Sequence, residues 1–78
     1  MKTICERFGK NVKKYRSKLA ISQEELASRC ELHRTYISAV ERGVRSISLK
    51  NIEIIATELN IDIYKLFLFE EESIEEKK

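Results

Sequence analysis

The residues of this 78-residue chain best suited to chemistry lie in a short stretch, RTYISAVER, that begins with Arg34. An arginine at the start of a helix can donate two hydrogen bonds to O6 and N7 of guanine. Thr35 offers a methyl group to thymine, or a hydroxyl group to a base or a phosphate. Ser38 lies one helical turn later on the same side. We therefore interpret Arg34, Thr35 and Ser38 as contacts to bases in a DNA major groove.

Cations and hydrogen-bond donors around this stretch suit contacts to phosphate. Such contacts set the register and affinity of a DNA-binding protein with little choice of sequence. Tyr36 has two interpretations that stay open here, a phosphate contact or a ring packed against the preceding helix. His33 fits a solvated or phosphate-facing position better than a metal ligand. The predicted backbone or groove contacts are Gln23, His33, Tyr36, Arg42, Arg45 and Lys50.

Two short helices are predicted to position these side chains. Ser22 caps the first, residues 23–30, and Glu25 stands where it would complete a capping box. The second covers residues 34–42 and stops at Gly43. The residues expected to face inward are Leu26, Ala27, Cys30, Leu32, Ile37 and Val40. Two helices joined by a tight turn, the second with a polar outer side, are typical of a helix-turn-helix.

The turn itself has two unusual residues. Glu31 occupies a position at which a left-handed backbone is expected, and that conformation costs a non-glycine residue about 1–2 kcal/mol. His33 stands at the N-cap of the second helix, where Ser, Thr, Asp or Asn is preferred. Neither residue changes the interpretation of the motif.

A 3.6-residue period of apolar residues predicts further helices, and with them an all-α, compact five-helix domain over residues 1–69. Helix 1 covers about residues 3–19, and Gly9 within it suggests that another helix crosses closely there. Helix 4 begins after Ser48 as its N-cap. The residues predicted to face inward are Ile4, Phe8, Val12, Tyr15 and Leu19 in helix 1, and Leu49, Ile52, Ile55, Ala56 and Leu59 in helix 4.

The segment after Asp62 is apolar on nearly every side. It is predicted to form helix 5, residues 62–69, and the acidic tail, residues 70–78, is expected to extend it and fray. One small core buries only part of so many apolar side chains, and exposed apolar patches commonly mark contact surfaces. A homodimer interface is one interpretation, and core or scattered surface residues are the other. The predicted dimer contacts are Ile63, Tyr64, Leu68 and Phe69.

Charge is unevenly distributed along the chain. Residues 1–50 contain twelve Lys or Arg against five Asp or Glu, a net charge of +7. Residues 51–78 contain three against eight, a net charge of −5. A basic half that carries the helix-turn-helix favours an anionic partner such as nucleic acid.

Several classes of protein are disfavoured. With one histidine, no Gly-rich phosphate loop and no nucleophile elbow, the chain is not expected to be an enzyme, and we expect neither a cofactor nor a metal site. Cys5 and Cys30 lack metal-ligand spacing and are expected to be reduced packing residues. No apolar run approaches the roughly 18 residues of a membrane span, and no signal-peptide pattern is found. We expect a cytoplasmic protein.

From about residue 8 to residue 67 the chain resembles the Xre/phage-repressor type of helix-turn-helix domain. The resemblance rests on Arg16, Gln23, Leu26–Ala27, Ile37–Ser38 and Glu41. It implies a lambda-repressor-like fold, a phosphate contact by Gln23, and a partly buried ion pair between Arg16 and Glu41. The RTYIS segment and the following loop imply DNA contacts by Arg34, Thr35, Tyr36, Arg45 and Ser46.

Within this family, the stretch HRTYISAVERGVRSISLKNIEIIA and the apolar helix 5 look most like the controller proteins of restriction–modification systems. The resemblance implies a homodimer that binds a pseudo-palindromic operator in double-stranded DNA. Such proteins activate transcription at first occupancy and repress it when a second dimer binds. The alternative is an antitoxin-type or phage-type repressor whose helix 5 and tail bind a partner protein.

Glu24, next to Gln23, has two open interpretations. An acid in the first turn of a helix is favoured by the positive end of the helix dipole. The resemblance implies the other, a contact to a basic region of RNA polymerase bound next to the operator.

Overall fold

The computed structural model describes residues 2–69, which form four α-helices and one 3-10 turn. The helices are α1 (Ile4–Lys18), α2 (Gln23–Cys30), α3 (Arg34–Arg42) and α4 (Leu49–Leu59), and the turn is Ile63–Phe67. α3 packs against α1 and α2, α4 packs against α2, and the 3-10 turn contacts α1 and α4. The predicted all-α class and the bounds of α2 and α3 are confirmed. The predicted acidic tail, residues 70–78, lies outside the described residues.

Side-chain caps start three helices, at Thr3, Ser22 and Ser48. At Thr3 the cap is reciprocal, because the Glu6 carboxylate also accepts a hydrogen bond from the Thr3 N–H, with N and O 2.9 Å apart. Of the capping box predicted at Ser22, the serine cap is present but the return bond from Glu25 is not. Ser22 Oγ accepts from the Glu25 N–H at 3.0 Å, but the Glu25 carboxylate accepts from Arg29 Nε instead.

Each α-helix is followed by a residue with a left-handed backbone, namely Ala20, Glu31, Gly43 and Asn60. This conformation lets the next N–H bond back to the last helical turn, as the Leu32 N–H does to the Ala27 carbonyl at 2.9 Å. Glu31, with φ 58°, adopts the predicted conformation at a cost of about 1–2 kcal/mol. The returning hydrogen bond and the packing of Leu32 against the core offset this cost.

The core contains residues from every helix and the 3-10 turn: Phe8, Val12, Leu26, Ala27, Cys30, Ile37, Val40, Ile52, Ile55, Ala56, Leu59 and Leu66. Three residues predicted to face inward, Ile4, Leu19 and Leu49, are instead exposed. Ile4 and Leu49 are the first residues of α1 and α4, and Leu19 follows the last residue of α1. The helical period is therefore right, but these positions extend past the layer that the neighbouring helices cover.

The close crossing predicted at Gly9 is confirmed. A Cβ atom at Gly9 would clash with the Val40 carbonyl oxygen and would lie 2.7 Å from the Glu41 carbonyl oxygen. The last turn of α3 therefore lies directly against α1, and any side chain at Gly9 would force the two helices apart.

The prediction of a fifth α-helix over residues 62–69 is wrong. A single 3-10 turn ends at Phe67, and Leu68 is extended with φ −87° and ψ 109°. The cause is the buried side chain of Asn11, whose Nδ2 donates to the carbonyls of Leu66 and Leu68, both at 2.9 Å. In an α-helix these carbonyls would point along the helix axis toward the N–H groups four residues later, whereas here both accept from the Asn11 side chain of α1.

Candidate nucleic-acid interface

One side of α3 is polar and directed away from the helices on which it packs. The recognition face, as we call it, consists of Arg34, Thr35, Ser38 and Arg42, of which only Ser38 is half-buried. At 3.6 residues per turn these side chains cover an arc of about 100° on the helix surface. Ile37 and Val40 lie on the opposite, buried side. The face carries no acid, because the Glu41 side chain is directed into the protein.

The turn before α3 leaves the start of this face open. His33, the N-cap residue, is exposed and makes no capping hydrogen bond with its side chain. Leu32 is half-buried and packs against the core. Arg34 is therefore the first residue of the helix, directly after a turn that Leu32 fixes to the core, and its side chain is exposed.

The C-terminal end of α3 is held by a buried group that we call the carboxylate junction, made of Arg16, Gln23 and Glu41. Arg16 Nε donates to Glu41 Oε2 at 2.6 Å, and Arg16 Nη2 donates to Oε1 at 3.1 Å. Gln23 Nε2 also donates to Oε1, at 3.0 Å. The Glu41 side chain is 3% exposed and that of Arg16 13%. The structure thus brings the predicted ion pair together and adds Gln23, which sequence reasoning had not joined to it.

The N-terminal part of α3 is held by the tyrosine junction, made of Tyr36, Asn51 and Arg45. Asn51 Nδ2 donates to the Tyr36 hydroxyl at 3.1 Å, and the Arg45 guanidinium lies 5.1 Å from the centre of the Tyr36 ring. The ring is half-buried against the core. The Tyr36 hydroxyl therefore contacts α4, which was not foreseen from sequence, and the phosphate contact of Tyr36 stays a prediction. Asn51 was not among the predicted site residues.

Most of the remaining predicted contacts are exposed to solvent. His33, Arg45, Ser46, Lys50 and Glu24 are exposed. His33, Thr35, Tyr36 and Arg45 line one surface cavity, so the residues before α3 and after it border the same depression. Gln23, by contrast, is half-buried because its amide is held in the carboxylate junction.

A second surface is apolar and lies beside the 3-10 turn. We call Leu49, Ile63, Tyr64, Phe67 and Leu68 the apolar patch, since all five are exposed. Leu49 is 84% exposed, and it borders one surface cavity together with Ile63 and Phe67. Leu49 and Phe67 were missed as surface residues from sequence. Phe69, a predicted dimer contact, is half-buried on its own chain, with its ring centre 4.8 Å from the Arg7 guanidinium.

The described residues 2–69 contain neither the pattern of a metal site nor that of a membrane span. That range holds no group of three His, Cys, Asp or Glu side chains placed to bind a metal ion, and none of its helices is long and apolar enough to span a lipid bilayer. Cys5 and Cys30 are both free thiols. Burial, and secondarily the charge of Glu58, raises the pKa of the Cys30 thiol to about 11, so Cys30 packs as a neutral core residue.

Comparison with known proteins identifies the motif. Residues 12–66 match the helix-turn-helix family model. The chain is 54% identical over 55 residues to the control protein C.BamHI of Bacillus amyloliquefaciens, which covers 69% of this chain and 68% of that protein. It is 44% identical over 68 residues to the control protein C.MunI of a Mycoplasma species, covering 86% and 92% of the two chains.

A solved structure agrees with these relatives. The restriction–modification controller protein C.Esp1396I, crystallised as a tetramer with its natural 35-base-pair operator, superposes with a TM-score of 0.77 at 32% identity. The match covers 97% of this chain and 96% of that one. The chain is therefore a member of the Xre-type helix-turn-helix family of DNA-binding transcription regulators, which includes the restriction–modification control proteins.

Proposed function

We propose that this chain is a controller protein of a restriction–modification system, which binds a pseudo-palindromic operator as a homodimer. The observation that carries the proposal is the recognition face, three exposed polar side chains and one half-buried serine without an acid, on a helix that is held at both ends. A major groove accepts a helix of this kind, and its base edges present acceptors to arginine and hydroxyl donors. Sequence identities of 54% and 44% to two control proteins support the role of a controller protein.

In this proposal Arg34, Thr35 and Ser38 contact bases. Arg34 would bind O6 and N7 of a guanine, since it stands at the exposed start of α3. The phosphate backbone on either side would be bound by the surrounding donors, which set the register: Gln23, His33, Arg42, Arg45, Ser46 and Lys50. Tyr36 would hold Arg45 beside the groove through its ring, and its hydroxyl, which accepts from Asn51, keeps its own O–H to donate to a phosphate.

The apolar patch is our candidate dimer interface. Two copies of α3 must be spaced about 34–36 Å apart to enter successive major grooves of a symmetric operator. The exposure of Leu49, Ile63 and Phe67 around one cavity supports a contact there between two copies. The C.Esp1396I tetramer on its natural operator is a precedent for four copies on one operator. We propose that the first dimer activates transcription and that a second dimer represses it.

Glu24 is our candidate contact to RNA polymerase, since it is exposed beside Gln23 at the start of α2. A favourable interaction with the helix dipole explains the same residue without a partner. A reporter assay at matched operator occupancy separates the two roles. Glu24→Gln is expected to keep DNA affinity and to reduce activation, and unchanged activation would leave only the dipole role.

Footprinting on the DNA upstream of the chain's own gene tests the proposal. We expect two protected half-sites about one helical turn apart, and a second protected pair at higher protein concentration. Uniform protection without half-sites would contradict sequence-specific binding. Footprints adjacent to methyltransferase and endonuclease genes would favour the controller role, and a neighbouring toxin gene would favour an antitoxin.

Sedimentation tests the dimer separately. At micromolar concentration the wild type should sediment as a dimer, whereas Leu49→Glu should sediment as a monomer because a charge would be buried in the contact. Leu19→Glu, at an exposed leucine outside the apolar patch, is the matched control and should remain dimeric. A wild-type monomer that binds a single half-site would rule out the dimer.

A further inference from the structure

The carboxylate junction ends on a residue that the proposed function places against DNA. Glu41 Oε1 accepts two hydrogen bonds, from Arg16 Nη2 at 3.1 Å and from Gln23 Nε2 at 3.0 Å. Its other oxygen accepts from Arg16 Nε at 2.6 Å. A buried carboxylate therefore connects an arginine of α1 to the first residue of α2.

We propose that Glu41 is a positioning residue for DNA binding, which holds the Gln23 amide ready to donate to a phosphate. This inference rests on the proposed DNA-binding function. Glu41 then has a second role beyond its ion pair with Arg16. Through Glu41, α3 contributes to the phosphate contact of α2 as well as to the contacts with bases.

The first reason is the orientation of the amide. Its nitrogen faces Glu41, and turning the amide over would place the Gln23 oxygen against a carboxylate oxygen, where both atoms are acceptors. The carboxylate therefore selects one orientation. A primary amide has two N–H groups, so one can be bonded to Glu41 while the other remains for a phosphate oxygen.

The second reason is conformational entropy. A glutamine side chain fixed on binding loses about 1.5–2 kcal/mol of rotamer freedom when it was free beforehand. Gln23 is already held in the unbound protein, so most of that loss has occurred on folding. Binding to phosphate then requires little further ordering, which is how preorganisation raises affinity.

The third reason is that Arg16 also fixes the backbone next to Gln23. Its Nη1 donates to the carbonyl of Ile21 at 2.8 Å, two residues before Gln23. Ser22, between them, caps α2. One guanidinium thus holds both the Glu41 carboxylate and the entry to α2. The first N–H groups of a helix are suited to bind an anion, and this junction fixes where they point.

A double-mutant cycle tests the proposal. Affinity for a duplex of the gene's upstream region is measured for wild type, Gln23→Ala, Glu41→Ala and the double variant, at a temperature where circular dichroism shows each to be folded. We expect each single variant to lose about 3- to 10-fold in affinity. The double variant should lose no more than one single variant does, because Glu41 acts through Gln23.

The controls separate positioning from a general loss of stability. Val40→Ala weakens the core beside Glu41 without touching Gln23, and it should leave the affinity of the folded protein unchanged. Because an amide is uncharged, Gln23→Ala should also leave the salt dependence of binding unchanged, whereas Arg45→Ala should reduce its slope by about 1. If the double variant lost affinity by the product of the two single losses, Gln23 and Glu41 would act independently. That result would overturn the inference and leave the proposed function standing.

A second measurement needs no variant. Gln23 is the chain's single glutamine, so the NMR signals of its side-chain amide are unmistakable. In the unbound wild type we expect one amide proton to exchange with water much more slowly than those of the exposed Asn60 amide. Exchange of both Gln23 protons at the Asn60 rate would overturn the inference, and so would a wild-type protein that does not bind DNA, which would overturn the proposed function as well.

Discussion

The two ends of α3 are held by different chemistry. At the C-terminal end the carboxylate junction joins Arg16, Glu41 and Gln23 through charged hydrogen bonds, with the Glu41 side chain 3% exposed. At the N-terminal end the tyrosine junction relies on one neutral hydrogen bond, from Asn51 to Tyr36, and on an arginine over a ring. The end next to Arg34 is thus held by much weaker interactions than the far end.

The two kinds of contact differ in how much free energy their loss costs. A buried ion pair is costly to break because the remaining charge stays unpaired in the interior. A neutral hydrogen bond contributes about 0.5–1.5 kcal/mol, and an exposed cation–π contact about 0.5–1 kcal/mol. α3 is therefore anchored more strongly at Glu41 than at Tyr36.

The largest expected effect is at the carboxylate junction. Glu41→Ala should lower the free energy of unfolding by about 3–5 kcal/mol, because Arg16 would remain buried without a counter-charge. Urea denaturation followed by circular dichroism measures this loss. Glu25→Ala is a matched control, since Glu25 forms an ion pair with Arg29 in which both side chains are exposed. It should cost about 0.3–0.5 kcal/mol, and equal losses at the two sites would show that burial of the junction has no effect.

An intermediate effect is expected at the recognition face, on DNA affinity and not on folding. Arg34→Ala should weaken operator binding by about 1–3 kcal/mol and remove the preference for one guanine in each half-site. Binding to operators substituted at single positions measures both. The exposed Arg29 of α2 provides the control, because Arg29→Ala also removes one positive charge. If Arg34→Ala weakened binding equally for every sequence, Arg34 would be a phosphate contact.

The smallest effect is expected at the tyrosine junction. Tyr36→Phe removes the bond from Asn51 and keeps the ring under Arg45, so unfolding should become easier by only about 0.5–1.5 kcal/mol. Tyr64→Phe, at an exposed tyrosine, should change stability less. A loss at Tyr36 as large as that of Glu41→Ala would mean that the two ends of α3 are held equally firmly.

The region from Ser22 to Gly43 could be predicted because its signals are local. A serine cap, apolar residues at helical spacing and a terminal glycine fix α2, the turn and α3 without reference to the rest of the chain. The segment after Asp62 could not be predicted in this way. Its 3-10 turn and extended end depend on Asn11, which lies more than fifty positions earlier in the chain.

The candidate site likewise contains features that local sequence predicts and features that depend on distant residues. Exposure of Arg34, Thr35 and Arg42 follows from the helical period, whereas the bond from Gln23 to Glu41 depends on how α2 and α3 cross. Likewise, no local pattern joins Tyr36 to Asn51 of α4. At Leu49 the local pattern was misleading. Its apolar character indicated burial, but its place at the start of α4 leaves the side chain in solvent.

Selection from a random double-stranded DNA library tests most directly whether α3 reads sequence. The wild-type protein should enrich a motif with two-fold symmetry and a guanine at one position in each half. Arg34→Ala should enrich the same spacing with that guanine relaxed. Enrichment of no motif by the wild type, or of an identical motif by Arg34→Ala, would contradict the account.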